Sequence, residues 1–365
     1  MKRNHSNIGV LRKLRTHGCA SLAILLGAAG ASMAAPSNLT VSGNHLVNSS
    51  GQSVRLKGVD IMGYEYSPTG DHVSTSVTPA LNWGAKLVRL PINQDYWMGY
   101  GSNAGAYRAA IDSVVNTVSG WGRYVVVDLH WSDAGQWGKN NGQHNMPDDN
   151  TSTAWNDIAS HYKNNPAVLF GVYNEPHDIS WSLWRDGGSV TNDMNTSGQR
   201  TNLNYHTPGV ESLIYTIRNT GAGNVIVAGG IGYAGTLTGV VNWGPSGDRL
   251  WDPGPYANQS NPNQNIMYDI HIYPFSSTNW DGNATVAANA GLCVYVGEFG
   301  GRQSDGVGWD NSMISWLNSH NYNATAWCFY GGGSSSDPNS LNLLADWNFT
   351  PTWWHGAPVK TWLAQ

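Results

Sequence analysis

Tyr124-Val125-Val126-Val127-Asp128-Leu129-His130 opens as an unbroken apolar run and closes on two ionisable side chains. Apolar residues without polar alternation mark a strand covered on both faces, the environment of a parallel sheet with helices packed on it. Helical patterns flank it, Tyr107 to Gly120 before and Thr153 to Lys163 after. Working outward, the same unit recurs. Further strands are expected at Arg55 to Met62, Leu87 to Ile92, Val168 to Asn174, Asn224 to Ala228, Ile266 to Tyr273, Cys293 to Glu298 and Thr325 to Tyr330, with further helices at Val210 to Asn219, Trp309 to Ser319 and Val359 to Leu363. The first and fifth intervening helices are the faintest. Eight strands with intervening helices predict an α/β fold, a closed (β/α)8 TIM barrel, in preference to an open doubly wound sheet. No Gly-x-Gly-x-x-Gly opens a helix after the first strand, which argues against a dinucleotide fold. Leu39 to Ser53, with turn residues at Ser42-Gly43-Asn44 and Asn48 to Gly51, reads as a short N-terminal β-hairpin that plugs one end of the barrel.

The first residues carry Lys2, Arg3, Arg12, Lys13 and Arg15 with no acid, then an apolar run from Ala20 to Ala31 and the small-residue stretch Ala31-Ser32-Met33-Ala34-Ala35-Pro36. This is the three-part pattern of a secretory signal peptide over residues 1–35, and it predicts an extracellular or periplasmic protein. A membrane anchor would need about 20 apolar residues. Cys19 precedes the apolar run, where no lipoprotein cysteine stands. Removing residues 1–35 takes five basic residues and no acid, so the formal charge moves from −5 to −10. An acidic surface repels phosphate backbones and disfavours a nucleic-acid partner. Residues 36–365 contain no Pro/Thr/Ser-rich linker or charge run, and a single barrel domain, monomeric and free of the membrane, is expected. Cys293 opens one expected strand and Cys328 lies near the end of the next, an offset too long for a disulfide, so two buried free thiols are predicted.

Active-site groups of a barrel gather at the carboxyl ends of its strands. At those ends stand Arg89, His130, Asn174-Glu175, His271, Tyr273, Glu298 and Trp327. Taken singly, each is a residue that cores and loops also contain. Their joint occurrence at one level of the barrel is what packing does not explain, because each buried polar group costs free energy unless it is paired. Glycosidic cleavage needs two carboxyls, one to protonate the leaving oxygen and one to attack the anomeric carbon. Glu175 and Glu298 come from the fourth and seventh strands, and a small barrel mouth lets them approach to about 5 Å, the spacing of a retaining double displacement. Each charge is expected to raise the pKa of whichever partner stays protonated.

The segments Val88-Arg89-Leu90-Pro91, Val127-Asp128-Leu129-His130, Tyr173-Asn174-Glu175-Pro176, Asp269-Ile270-His271-Ile272-Tyr273, Gly297-Glu298-Phe299-Gly300 and Ala326-Trp327 together resemble glycoside hydrolase family 5. Asn-Glu-Pro alone is a weak triplet; the ordered set is specific. The resemblance implies a retaining glycoside hydrolase with Glu175 as acid/base and Glu298 as nucleophile, and no cofactor. It further implies that Asn174 bonds the sugar 2-hydroxyl, that Arg89 and Tyr273 hold Glu298, that His130 and His271 contact sugar hydroxyls or Glu175, and that Trp327 floors the central subsite. The Asn-Glu-Pro-His-Asp and Gly-Glu-Phe-Gly stretches look most like the bacterial endoglucanases, which favours cellulose or mixed-linkage β-glucan as partner, with a β-mannanase, xyloglucanase or other β-glycanase as the alternative. A non-catalytic carbohydrate-binding barrel is a further alternative, disfavoured because both carboxylates are present.

The chain holds 18 tryptophans, and flat indole faces stack on pyranose rings. Trp97, Trp131, Trp137, Trp181, Trp184, Trp280 and Trp347 fall in or near loops after strands, and Trp131 and Trp181 are candidate substrate platforms. Trp121, Trp155 and Trp316 lie in helical patterns and are expected to pack. His72, His144, His161, His177 and His206 match no metal-ligand spacing and no catalytic metal is predicted, while Asp133 and Asp148-Asp149 are left as candidates for a surface Ca2+. No Gly-x-Ser-x-Gly elbow is present.

Overall fold

A computed structural model describes residues 35–194, 201–242, 247–254, 265–333 and 336–365. Residues 1–34, the bulk of the expected signal peptide, lie outside the described residues. The chain begins with β1 (Leu39–Ser42), β2 (His45–Asn48) and β3 (Ser53–Val54), an antiparallel trio in place of the expected simple hairpin. There follow β4 (Lys57–Asp60), α1 (Val73–Asn82), β5 (Leu87–Asn93), α2 (Gln94–Met98), α3 (Ala104–Gly120), β6 (Tyr124–Trp131), α4 (Asp149–Tyr162), β7 (Val168–Gly171) and α5 (Trp181–Asp186). A small antiparallel pair, β8 (Gly188–Val190) and β9 (Tyr205–Thr207), precedes α6 (Val210–Asn219) and β10 (Ile226–Gly229). The chain closes with β11 (Ile266–Ile272), α7 (Val286–Asn289), β12 (Cys293–Phe299), α8 (Gly306–His320), β13 (Asn323–Ala326) and α9 (Gly356–Leu363).

Strands β4, β5, β6, β7, β10, β11, β12 and β13 close into one parallel barrel, as the sequence predicts. The faint first helix is a full ten residues with Pro79 inside, whereas the described residues of the fifth crossover carry only a 3-10 turn, Thr238–Val241. The sixth pairs a π turn, Asp281–Thr285, with the short α7. The eighth strand lies two residues earlier and ends sooner than expected. After Ala326 the peptide Trp327–Cys328 is cis, and Phe329 N–H donates to Asp60 O at 2.8 Å instead of continuing the β12 ladder.

Side-chain alternation along the strands separates two cores. Val88, Val125, Val127, Val168, Phe170, Ile226, Ile270 and Val294 face the helices. Leu87, Tyr124, Val126, Leu169, Val227, Met267, Cys293 and Tyr295 fill the lower lumen, where Leu39, Val41 and Leu46 of the N-terminal strands cover them. Val41 N–H donates to Asn265 Oδ1 at 2.9 Å, tying this plug to the foot of β11. Cys293 and Cys328 are both buried and unpaired, as expected; Cys19 lies outside the described residues. Burial pushes the Cys293 thiol up to about 12.

Candidate active site

The alternation that fills the lower lumen with apolar side chains brings ionisable ones inward two residues further along. Leu87 leads to Arg89 on β5, Tyr124 and Val126 to Asp128 and His130 on β6, and Met267 to Asp269 and His271 on β11 and to Tyr273 just past its end. On β12 the parity changes. Ile270 pairs with Val296 but His271 pairs with Glu298, a bulge that spends Gly297 as the extra residue and turns Glu298 into the lumen. A Cβ on Gly297 would stand 2.3 Å from Asp269 Oδ1, so only glycine fits there. Beyond β7, Val172 N–H donates to Val227 O at 2.9 Å and Asn174 N–H to Leu129 O at 3.0 Å, fixing the segment that presents Glu175. Glu175 itself has φ 51°, left-handed backbone for a non-glycine residue.

Glu298 is buried and takes two short hydrogen bonds, from Arg89 Nη1 to Oε1 at 2.6 Å and from the Tyr273 hydroxyl to Oε2 at 2.6 Å. Arg89 Nη2 also donates to Asn174 Oδ1 at 2.7 Å, which leaves the Asn174 NH2 as the half able to donate elsewhere. His271 Nδ1 lies 2.8 Å from Glu175 Oε1 and 3.4 Å from Glu298 Oε2, with Nε2 3.3 Å from Asp269 Oδ2. One donor atom each of Glu175, His271 and Glu298 falls within 4.8 Å of the others. Gln143 Nε2 donates to Glu175 Oε2 at 2.8 Å. Trp327 lies parallel to His130, ring centres 5.7 Å apart and planes at 10°. These groups open into a cavity of about 700 Å3.

The lumen charges oppose and support one another. Burial works against the Arg89 charge, but Asp128, Glu298, Asp60 and Asp269 outweigh it and raise its pKa. Burial likewise opposes the charge on His271, and Glu298, Asp269 and Glu175 override it, holding the imidazolium well above the ordinary histidine range. For Asp128, burial is outweighed by Arg89 and His130 and the pKa falls. For Asp60 burial wins over Arg89, and its carboxyl stands well above the usual range with Oδ2 unpartnered. Glu175 departs from expectation. Burial raises its pKa, yet the hydrogen bond and charge of His271, with the Gln143 amide, bring it below the ordinary carboxyl value. The imidazole between the two carboxyls is thus the group whose protonated form their charges favour.

The structure therefore brings Arg89, His130, Asn174, Glu175, His271, Tyr273, Glu298 and Trp327 together. It does not do so for the tryptophans beyond Trp327. Trp181 stands edge-on to Trp184 at 5.1 Å, its ring over Gly239, where a Cβ would approach to 2.3 Å; it packs outside the cavity. Trp131, half-buried at the end of β6 and 6.5 Å from Tyr66, also does not line the cavity. Trp97 and Trp184 are fully buried, their indole N–H groups donating at 2.8 Å to Asp157 and to Gly229 O, so both are core. Trp280 packs against Trp309 and Trp316, Trp137 stacks on Tyr100, and Trp347 stacks on His72 at 3.8 Å. Trp155 packs as expected, whereas Trp121 is 37% exposed, contrary to its expected packing role. Asp133 and Asp148 are fully buried and not surface ligands, bonded to Gln94 and Asn150, while Asp149 meets His206.

Sequence reasoning missed Gln143, Tyr233 and Phe275, all of which line the cavity. Tyr233 stacks on His177, centres 4.1 Å apart at 5°, and Phe275 on Tyr273 at 5.0 Å. It also passed over Asp128 and Asp269, although period-two alternation places each on the same face as the histidine two residues on.

The family model for cellulase, glycosyl hydrolase family 5, matches residues 47–333. Among curated relatives, the chain is 25% identical to endoglucanase MaCel5A of Microbulbifer sp. (strain ALW1) over 73% of its own length and 45% of the relative's. It is 26% identical to endoglucanase E-5 of Thermobifida fusca over 73% of its own length and 49% of the relative's. The chain thus spans about half the length of the curated relatives it matches. Among solved structures, the cellulase Cel5C_n superposes with a TM-score of 0.66 at 23% identity, covering 92% of this chain and 95% of that one. A β-glucanase of Saccharophagus degradans, SdGluc5_26A, solved with cellotetraose, gives 0.67 at 20% identity over 91% and 94% of the two chains. With the family model spanning well over half of its length, the chain belongs to the cellulase family, glycosyl hydrolase family 5.

Proposed function

We propose that this chain is a secreted, retaining endo-acting glycoside hydrolase that cleaves β-1,4-glucosidic bonds in cellulose or mixed-linkage β-glucan. The observation that carries the reading is the approach of Glu175 and Glu298, whose oxygens lie within 4.8 Å, in unlike surroundings. Inverting enzymes keep their carboxyls about 6.5–9.5 Å apart to admit a water, and retaining ones about 5–5.5 Å. Glu298, aimed by Arg89 and Tyr273 from below, is placed to attack the anomeric carbon and form a glycosyl-enzyme ester. Glu175 protonates the leaving oxygen, its proton arriving from His271 Nδ1 across 2.8 Å, and then activates the water that cleaves the ester. Asn174 donates to the 2-hydroxyl, and Trp327 supports the sugar ring at the cleaved bond. Residues 1–35 serve as the secretory leader and residues 36–365 as one barrel domain. Among the described residues no helix is long and apolar enough to cross a membrane.

The test is reducing-sugar release from carboxymethylcellulose, barley β-glucan, glucomannan, xyloglucan and xylan, run beside Glu298→Gln, with NMR of the first-formed anomer. The expected result is release from the glucans by wild type alone, with the β-anomer first. Release chiefly from glucomannan would move the substrate to mannan, an α-anomer first would sink the retaining mechanism, and no release from any substrate would sink the hydrolase.

A further inference from the structure

We propose that Glu175, His271 and Glu298 also form a binding site for one divalent transition-metal ion of the Zn2+ type, which occupies the catalytic centre in place of substrate. The inference concerns the site on which the proposed hydrolysis rests, but metal binding is read without any measurement of activity.

Three side chains, from β11, β12 and the segment after β7, offer one donor atom each, all within 4.8 Å of one another. Ligands about 2.0–2.1 Å from a tetrahedral Zn2+ stand about 3.3 Å from one another. The separations of His271 Nδ1 from Glu175 Oε1 and Glu298 Oε2, 2.8 and 3.4 Å, fall either side of that value, and the two glutamate oxygens lie within 4.8 Å of each other. Asp269 Oδ2 faces Nε2 at 3.3 Å and can accept its proton, so that loss of the Nδ1 proton leaves the Nδ1 lone pair toward the two glutamates. Asp269 is itself held by Gly297 N–H at 2.7 Å. A carboxylate behind the imidazole is the usual outer support of a metal-bound histidine.

One imidazole and two carboxylates suit Zn2+ or its neighbours, whereas Ca2+ and Mg2+ require six or more oxygen ligands. The fourth position faces the cavity of about 700 Å3, open to water. On binding, the ion replaces the proton that His271 shares with Glu175, and that proton passes to solvent. Two carboxylates then neutralise the ion's charge, and Asp128, ion-paired with Arg89 at 3.0 Å, offsets the repulsion from its guanidinium.

The experiment is calorimetric titration of ZnCl2 into the EDTA-stripped full chain, for wild type, Glu298→Gln, His271→Asn and, as a surface control, His206→Asn at the exposed His206–Asp149 pair. One ion per wild-type chain is expected, with affinity lowered at least about tenfold in either site variant and unchanged in the control. Melting curves without metal identify any variant that is unfolded, and either site variant alone suffices. Absence of saturable binding to wild type, binding that survives a folded site variant, or binding lost in His206→Asn would each overturn the proposal. Glycan hydrolysis assayed in EDTA tests the hydrolase reading separately, so one can fail while the other stands.

Discussion

At Glu175 the left-handed φ of 51° costs on the order of 1–3 kcal/mol and persists because its neighbours are tied down, Asn174 N–H to Leu129 O and His177 N–H to Asn145 O, each at 3.0 Å. With its backbone so held, the carboxyl is oriented by two donors, His271 on Oε1 and Gln143 on Oε2. Gln143 is a positioning residue for Glu175. Replacing it with Leu is expected to lower kcat about tenfold, ~1.4 kcal/mol of barrier, with little change in KM. A rise in KM at constant kcat would show instead that Gln143 only binds sugar. Glu175 and Glu298 were legible in the sequence because each is a lone acid at the end of an apolar run. Gln143 was not, since it sits in a polar loop without period and reaches Glu175 only through the fold.

Among the elements, β12 and the short loop after β10 do most to shape the cavity. The β12 bulge depends on Gly297, and Gly297→Ala is expected to destabilise the protein by about 1–3 kcal/mol, read as a lowered urea midpoint, and to reduce activity by misdirecting Glu298. An unchanged midpoint would show that Asp269 yields freely. The hairpin from Ile231 to Thr236 holds two consecutive non-glycine residues at positive φ, Tyr233 at 60° and Ala234 at 52°. It is pinned to the segment after β7 by Tyr233 N–H to Pro176 O at 3.0 Å and to β11 by His271 N–H to Ala234 O at 2.9 Å. The Tyr233 ring lines the cavity with Glu175, and we expect it to hold the sugar that leaves. Tyr233→Ala is therefore expected to cut kcat/KM on cello-oligosaccharides several-fold while sparing an aryl cellobioside, whose leaving group needs no second sugar. Equal losses on both substrates would remove Tyr233 from that role. The strands themselves were readable because their apolar runs outlast any helix period. The fifth crossover was faint because its described residues form only a 3-10 turn, and the eighth strand was misplaced because beyond Ala326 Phe329 bonds to Asp60 O, a partner far away in the chain.

Across the whole molecule, the junction of α2, the β6 loop and the start of α4 buries three acids, Asp95, Asp133 and Asp148. Burial, then the charge of Asp148, pushes Asp133 up to about 9, and burial pushes Asp95 up to about 6. Gln94, Asn150, Thr151 and the imidazole of His144 are the other groups facing this cluster. A carboxyl whose pKa is raised by folding contributes stability in full below its unfolded value, about 3.9, and that contribution is lost as pH rises through the folded value. The melting temperature is thus expected to fall between pH 5 and pH 9, and Asp133→Asn should flatten that decline. A parallel decline in wild type and variant would remove Asp133 as its cause. By itself, the sequence determined the barrel, the eight polar and aromatic groups at the strand ends and the two unpaired thiols, because period and strand-end position are local properties of a chain. Only the tertiary structure decided which tryptophans are core, that β12 changes parity at Gly297, that His271 stands between two carboxyls, and that Gln143 and Tyr233 border the cavity beside Glu175. Those outcomes depend on distances between residues far apart in the chain, which closure of the barrel alone establishes.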